Sequence, residues 1–367
     1  MIKYSIIIPF HSNLNLFTIC ISNLIKIIDF SESEIIIVDN NAEGPQISRS
    51  LKLNSRHCKI ISKAENLMYP RAINLGASEA KGKYLIFCDA DTYTAPNFHY
   101  ILTQKLETDE VGYTSAKLVN MLTNTLLDFG ITSSYYNFPH PYSGREADFK
   151  LIQNDHYPLA ACAACSAIKR NLFFDIGGFD EELLHSYSDI DLCLRLLEKG
   201  YKTACVSNAF AYHKGSSTIG SGMGNSLKED TKAIFASKHP NIPIQIHRYI
   251  DHACDYFISL NKLHGKDYFL LDCSTIGNSE LYINRIIGNL NISVTSRYKK
   301  PYSKRDATQI DFLNFIPYTI RNYKVPILYF VDSFLAFKEN CLWKTCRSDF
   351  CDIVMDRHAN IELLCNI

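Results

Sequence analysis

Two carboxylates with one residue between them, Asp89 and Asp91, stand directly after the apolar run Tyr84–Cys88. Carboxylate oxygens are the ligands that hard divalent cations prefer, and such a cation can neutralise a diphosphate leaving group. An Asp-x-Asp tripeptide is a weak signal by itself, because it occurs by chance in many proteins. These two residues are therefore candidate metal ligands that need support from their surroundings.

Polar side chains also follow two earlier apolar runs. Tyr4–Ile8 leads to Pro9 and His11, and Glu34–Val38 leads to Asp39. All three runs are nearly continuous, which is typical of strands buried on both faces of a parallel sheet. Ligands bind at the carboxyl ends of such strands. The pattern predicts one crevice lined by polar groups from three strand ends, although Asp and Asn also start turns and cap helices.

Helical patterns, such as Leu16–Ile28 and Ala72–Ala80, lie between the apolar runs. Alternating strands and helices imply right-handed crossovers and an α/β fold with a doubly wound, mostly parallel sheet. Further along, we predict a helix from Asp189 to Lys199 and two strands, Tyr201–Val206 and Ala209–Tyr212, that end at His213. The stretch Lys214–Asn225 is rich in glycine and serine, which favours a mobile loop beside the site.

Two blocks of residues extend the signal given by Asp89 and Asp91. The first block runs from Asn66 through Arg71, Asn74, Gly76, Ala80 and Gly82 to Asp89-Ala90-Asp91. The second consists of Gly177-Gly178-Phe179-Asp180-Glu181, Ser188-Asp189-Ile190-Asp191-Leu192-Cys193-Leu194-Arg195 and His213-Lys214-x-x-Ser217. Together, in this order, the two blocks resemble family 2 glycosyltransferases, in particular their rhamnosyltransferase-like bacterial members. The resemblance covers residues 1 to about 225 and implies the GT-A fold, a single Rossmann-like sheet.

The resemblance also implies roles for particular residues. Asp89 would meet the ribose or the metal, Asp91 would ligate the metal, and His213 would be an additional metal ligand. The residues that would contact the nucleobase or line its pocket are Pro9, His11, Asp39 and Arg71. Lys214 is placed to meet phosphate charge. Asp189 matches the general base, which takes the proton from the acceptor hydroxyl in an inverting displacement.

The implied protein is an inverting glycosyltransferase that depends on Mn²⁺ or Mg²⁺. It would move a sugar, of hexosyl or rhamnosyl type, from a nucleoside-diphosphate-sugar to a saccharide or lipid-linked saccharide acceptor in surface polysaccharide synthesis. We expect a GT-A domain over residues 1–240, with a nucleotide-binding half (1–100) and an acceptor and catalytic half (101–240). A smaller C-terminal α/β domain over 241–367, without an assigned role, would follow.

Several alternatives stay open at the level of sequence. Asp189 and Asp191 also suit the start of a helix, where carboxylates favour the dipole; we regard Asp191 as structural or acceptor-orienting. Ser188 stands where the family usually has an acidic residue, which leaves a catalytically inactive sugar-nucleotide-binding or scaffold protein as the alternative function. Gln245-x-x-Arg248-Tyr249 is close to a signature of processive synthases, but those enzymes carry membrane helices that this sequence lacks.

Composition narrows the class of protein. The chain has 367 residues, with 38 basic and 38 acidic side chains and no net charge. Nucleic-acid binding generally needs clustered positive charge, so this balance gives no general electrostatic reason to expect it. Its 13 cysteines follow no regular framework, which favours reduced thiols in a cytoplasmic protein. The stretch Arg297–Arg305 carries five basic residues; it is either a solvated loop or a contact with anionic lipid headgroups or a phosphate-bearing acceptor. The sequence does not predict the oligomeric state.

Overall fold

The structure is a computed structural model of the chain. It describes residues 1–40, 47, 58–134, 137–184, 186–214, 223–260, 267–299, 326–335, 337 and 352–363. By their contacts these residues divide into two compact units. The first comprises residues 1–131 and 146–242, and the second comprises 132–145 and 243–367.

The first unit is built on a sheet of nine strands within the described residues. The strands are β1 Tyr4–Phe10, β2 Ser33–Asp39, β3 Cys58–Ser62, β4 Tyr84–Cys88, β5 Thr92–Thr94, β6 Val111–Asn120, β7 Leu126–Asp128, β8 Cys165–Lys169 and β9 Lys202–His213. The helices are α1 Leu14–Ile27, α2 Met68–Ser78, α3 Phe98–Lys105, α4 Arg170–Asp175, α5 Ser188–Glu198 and α6 Met223–Lys238. A 3₁₀ turn spans Lys150–Ile152.

The sheet order is β3-β2-β1-β4-β8-β6-β9-β5, with β7 beside β6. Strands β3, β2, β1 and β4 are parallel to one another, and all five residues of β4 are buried. Strand β8 is antiparallel to both β4 and β6, whereas β6 and β9 are parallel. The predicted α/β fold with a mostly parallel sheet is confirmed. The half of the sheet that runs from β8 to β5 contains both parallel and antiparallel pairs.

The two strands expected at Tyr201–Val206 and Ala209–Tyr212 are one strand, β9. Its pairing with β6 shifts register between Ala116 and Lys117, which leaves a bulge in β9 around Ser207. The backbone N–H and hydroxyl of Ser207 donate to Asp155 at 2.8 and 2.9 Å. The bulge breaks the apolar pattern, so the sequence suggested an interruption where the strand continues.

The second unit has its own sheet, with strands β10 Asp267–Asp272, β11 Ser293–Lys299, β12 Ile327–Val331, β13 Ile353–Asp356 and β14 Ile361–Leu363. Its order is β11-β10-β12-β13-β14, and all neighbours are parallel except β13 and β14. The helices are α7 Ile246–Leu260 and α8 Ser279–Leu290. The sequence also predicts a helix over Thr308–Tyr323, and these residues lie outside the part of the chain that the structure describes.

Part of the basic stretch Arg297–Arg305 belongs to this second unit. Arg297 bonds to Glu280, and Lys299 Nζ lies 3.2 Å from Asp272 Oδ2, so these two charges have acidic partners. Residues 300–305 lie outside the described part of the chain. Among the helices that the structure describes, none combines the length and the apolar character needed to cross a bilayer.

Candidate active site

The side chains of Asp89, Asp91 and His213 form one cluster of candidate metal ligands, with one ligand atom from each within 4.8 Å of the others. His213 Nε2 lies 2.9 Å from Asp91 Oδ1 and 3.6 Å from Asp89 Oδ2. Carboxylate oxygens and an imidazole nitrogen from distant parts of the chain therefore converge at one point.

Two strand ends and a short edge strand bring these side chains together. Asp89 and Asp91 follow β4, and His213 is the last residue of β9. Thr92, the first residue of β5, pairs with His213 in antiparallel register. The backbone N–H and the hydroxyl of Thr92 both donate to the carbonyl of Asp89, at 3.2 and 2.7 Å. This tight turn holds the two carboxylates against the end of β9.

The members of the cluster change one another's affinity for protons. Burial raises the pKa of Asp89 to about 6; the negative charge of Asp91 adds to the rise, and the charge of His213 opposes it. Burial lowers the pKa of His213, but the hydrogen bond to Asp91 and the charges of nearby carboxylates outweigh it and raise this pKa above its ordinary value. The site therefore gathers negative charge that a cation would neutralise.

The residues present fit a divalent cation. Asp89 Oδ1 is buried and has no hydrogen-bond partner in the structure. Buried polar atoms are normally paired, so this oxygen is left for a ligand. Carboxylate oxygens suit Mn²⁺ and Mg²⁺, and imidazole is a common additional metal ligand. The donor set thus agrees with the cation expected from the sequence.

Asp189 lies in the first turn of α5. Its charge contributes to the raised pKa of Asp89. Its Oδ1 accepts a hydrogen bond from the backbone N–H of Ile190 at 2.9 Å. The N-cap position belongs to Tyr187, which makes no side-chain cap bond. Asp189 is therefore not the capping residue of α5, and its role as general base stays a prediction.

Two polar residues close to Asp189 in α5, Ser188 and Asp191, are buried. Ser188, the first residue of the helix, is 8% exposed and puts a hydroxyl where the family usually has a carboxylate. Asp191 is 2% exposed, and its carboxylate bonds to Arg195 and His239. Those contacts support the structural role that we considered for Asp191.

Pro9, His11 and Asp39 lie at the carboxyl ends of the adjacent strands β1 and β2. Pro9 pairs with Val38, and Phe10 pairs with Asp39, across the parallel ladder. Asp39 is fully buried, and His11 Nδ1 is a buried atom without a hydrogen-bond partner. The parallel ladder brings the three residues to one edge of the sheet, and their contact with a nucleobase stays a prediction.

The last two predicted ligand contacts are more exposed. Arg71 projects from α2 with half of its side chain exposed, and its Nε lies 3.8 Å from Glu181 Oε2. Lys214 directly follows β9 and is exposed. The mobile loop predicted at Lys214–Asn225 falls largely on residues 215–222, outside the described part of the chain. The nucleobase and phosphate roles of Arg71 and Lys214 stay predictions.

The sequence analysis missed Asp128. This buried residue ends β7 and pairs with Leu118 of β6. Its charge helps to raise the pKa values of His213 and Cys162, two residues that also feel the charge of Asp89. A signal existed, since Leu126-Leu127-Asp128 is another apolar run that ends in a carboxylate. It is too short to be recognised as a strand from sequence alone.

The fold and the site define a class of protein: an α/β sheet whose central strand ends in a carboxylate pair, with a histidine from a distant strand completing a metal-ligand cluster. Residues 5–171 match the family model described as Glycosyl transferase family 2. This match supports the family that the motif blocks predicted, and the structure has the expected α/β fold with a mostly parallel sheet. The matched stretch includes Asp89 and Asp91 and ends before Asp189 and His213.

Curated relatives are similar over part of the chain. An uncharacterized protein, y4gI, of Sinorhizobium fredii is 26% identical over 228 residues, which cover 59% of this chain and 25% of the relative. The O-antigen biosynthesis protein RfbC of Myxococcus xanthus is 26% identical over 225 residues, 59% of this chain and 18% of RfbC. The chain therefore matches a quarter or less of the length of these two proteins.

A solved structure of GalNAc-T7 with UDP, GalNAc and Mn²⁺ is similar over 58% of this chain and 44% of its own. The sequence identity is 20% and the TM-score is 0.49.

Proposed function

We propose that the chain is a metal-dependent glycosyltransferase that moves a sugar from a nucleoside-diphosphate-sugar to a saccharide acceptor, with inversion at the anomeric carbon. The observation that carries the proposal is the cluster of candidate metal ligands Asp89, Asp91 and His213, with Asp189 near enough for its charge to act on Asp89. A base near a metal-ligand cluster suits such a transfer, because the acceptor oxygen loses a proton as it attacks the anomeric carbon from the side opposite to the departing diphosphate. The match of residues 5–171 to the family 2 glycosyltransferase model supports the same class of reaction.

In this proposal Asp89, Asp91 and His213 would hold Mn²⁺ or Mg²⁺. When bound, the cation supplies charge neutralisation for the diphosphate leaving group. Asp189 accepts the proton of the acceptor hydroxyl while that oxygen attacks the anomeric carbon. One displacement assisted by one base inverts the anomeric configuration.

The chain's other predicted ligand residues would bind and orient the donor. Asp39 and Arg71 would hydrogen-bond the nucleobase, with Pro9 and His11 beside it, and Lys214 would meet the phosphates. Three of these residues lie at adjacent ends of parallel strands, which supports a common nucleotide pocket. The division into a nucleotide-binding half and an acceptor half follows from the same proposal.

We propose a saccharide or lipid-linked saccharide of a surface polysaccharide as the acceptor, and a hexosyl or rhamnosyl residue as the transferred sugar. The similarity to RfbC, which is described as an O-antigen biosynthesis protein, supports this context. A peripheral contact with the membrane would bring the enzyme to a lipid-linked acceptor.

A screen of nucleoside diphosphates and their sugars, with and without Mn²⁺, tests the proposal. A ligand that binds the native state raises the melting temperature by mass action, so the screen identifies the base and the metal dependence together. Release of nucleoside diphosphate is then measured with saccharide acceptors, and the product anomer is assigned by NMR. Nucleotide binding without turnover on any acceptor would instead favour the inactive sugar-nucleotide-binding protein.

A further inference from the structure

A network of buried and partly buried polar side chains involves Asp191 in the first turn of α5. Asp191 Oδ2 accepts hydrogen bonds from Arg195 Nε and Nη2, at 2.9 and 2.6 Å. Asp191 Oδ1 lies 2.8 Å from His239 Nε2, and the His239 side chain is 8% exposed. An ionised carboxylate only accepts, so His239 donates from Nε2. Both oxygens of Asp191 are therefore engaged by cationic or polar donors.

Arg195 extends the network to the segment that follows α4. Its Nη1 donates to the carbonyl of Ile176 at 2.6 Å, and its Nη2 donates to the carbonyl of Gly178 at 2.8 Å. The planar guanidinium presents donors in a rigid fork, which suits this set of acceptors. One side chain thus joins the interior of α5 to two backbone carbonyls between α4 and α5.

His239 connects the network to the end of α6. Its ring packs 4.9 Å from that of Phe235, which in turn stacks on Tyr187 at 4.8 Å. Tyr187 precedes α5 with a φ of 69°, and its carbonyl accepts from the backbone N–H of Asp191 at 2.8 Å. A left-handed conformation in a residue other than glycine costs about 1–3 kcal/mol and persists only where the surroundings impose it.

We propose that Asp191, Arg195 and His239 are positioning residues that direct the carboxylate of Asp189, an inference that rests on the proposed role of Asp189 as base. Residues two apart on a helix point to nearly opposite sides, so Asp191 anchors the helix on the side away from Asp189. The bond from Ile190 to Asp189 fixes that carboxylate relative to α5. The network fixes α5 itself.

The expected effect of breaking the network is kinetic. A displacement of about 1 Å in a reacting group can lower a rate by about 10²-fold. His239→Ala removes one donor from Asp191 and leaves Arg195 in place. We expect kcat to fall about 10-fold while the donor KM and the affinity for nucleoside diphosphate change by less than about 2-fold. His239→Gln retains an amide N–H for Asp191 and should recover most of the lost kcat.

Lys238→Ala is the matched control at the same end of α6. Lys238 bonds to Asp180 and, at 2.5 Å, to Glu182, and it has no part in the Asp191 network. This variant should keep kcat within about 2-fold, because exposed ion pairs contribute little. Melting temperatures of all variants show whether a loss of kcat reflects unfolding. If His239→Ala does not fold, His239→Asn, whose amide is too short to reach Asp191, replaces it.

A double-mutant cycle with Asp189→Asn, measured under single turnover with labelled donor, completes the test. Since the network acts through Asp189, His239→Ala should cause no further loss once the base is gone. A further 10-fold loss in that background, no loss in the wild-type background, or a loss that Gln does not restore would each overturn the inference. If Asp189→Asn alone leaves kcat unchanged, the failure lies instead with the proposed function.

Discussion

His213 Nε2 lies 2.9 Å from Asp91 Oδ1, although the two residues belong to different strands and to distant parts of the chain. The pairing of Thr92 with His213 places the end of β9 beside the turn that follows β4. Any cation held by the histidine would therefore also meet the carboxylate of Asp91. The first two predictions concern substitutions of Asp91 and of His213.

Asp91→Asn should abolish metal-dependent transfer and leave the fold intact, because a neutral amide is a poorer ligand for a hard cation. Nucleoside diphosphate release is measured over a Mn²⁺ titration, with circular dichroism as the folding check. Asp109→Asn, at an exposed aspartate outside the cluster, is the control and should behave as wild type. Full activity of Asp91→Asn in excess EDTA would contradict the metal dependence.

His213→Ala should weaken Mn²⁺ binding by about 10–100-fold, since metal sites commonly lose this much when a ligand or its support is removed. Isothermal titration of Mn²⁺ in the presence of nucleoside diphosphate measures the affinity directly. An unchanged titration would mean that His213 has only a structural role at the end of β9 and does not bind the metal.

Asp189→Asn should retain donor binding and melting temperature while kcat falls by about 10²–10⁴-fold, the usual contribution of general acid–base catalysis. Asn keeps the size and hydrogen-bonding ability of the side chain and removes its basicity and charge. The loss should appear in kcat and not in KM, because the proton moves in the transition state. Near-normal turnover by this variant would refute the assignment and make Asp128, a buried carboxylate whose charge acts on His213, the next candidate.

His99 should make the first unit less stable in acid. Burial, with a contribution from the charge of Lys3, lowers the pKa of His99 to about 4 from an ordinary 6.5. As the pH falls from about 6.5 to 4, His99 binds a proton in the unfolded chain but not in the folded protein. The free energy of unfolding therefore decreases over this pH range. The loss should reach about 3 kcal/mol. Urea unfolding at several pH values, compared with His99→Gln, measures it; parallel curves for the two proteins would exclude His99 as the cause.

Gly76→Ala should destabilise the protein by about 1–3 kcal/mol, the range for overpacking a well-filled interior. A Cβ at this position of α2 would lie 2.5 Å from Cγ2 of Ile7, a buried residue of β1. Gly288→Ala in α8 is the matched control, since a Cβ there would meet nothing within 4 Å. It should stabilise by about 0.5–1 kcal/mol, because alanine is the better helix former. Equal urea midpoints for both variants would contradict the close approach of α2 to β1.

Local signals in the sequence were sufficient for several elements of the first unit. The runs Tyr4–Ile8 and Glu34–Val38 became β1 and β2 with boundaries one or two residues longer, and Tyr84–Cys88 is β4 itself. Buried parallel strands leave continuous apolar runs, and polar residues at their ends mark the ligand-binding edge whatever the rest of the chain does. The resemblance of the motif blocks predicted the family, the candidate metal ligands Asp91 and His213, and the candidate base Asp189.

Other features depended on contacts that no local pattern records. The antiparallel placement of β8 beside β4, the bulge in β9 around Ser207, and the approach of Asp128 to the cluster arise from strand pairing across the sheet. His239 stands beside a proline at the predicted boundary between the two domains, yet its ring bonds to Asp191 in α5. The sequence by itself determined which residues could do chemistry, because residue type and strand ends are local properties. Only the tertiary structure decided which of them meet and what holds them there, because those contacts join segments far apart in the chain.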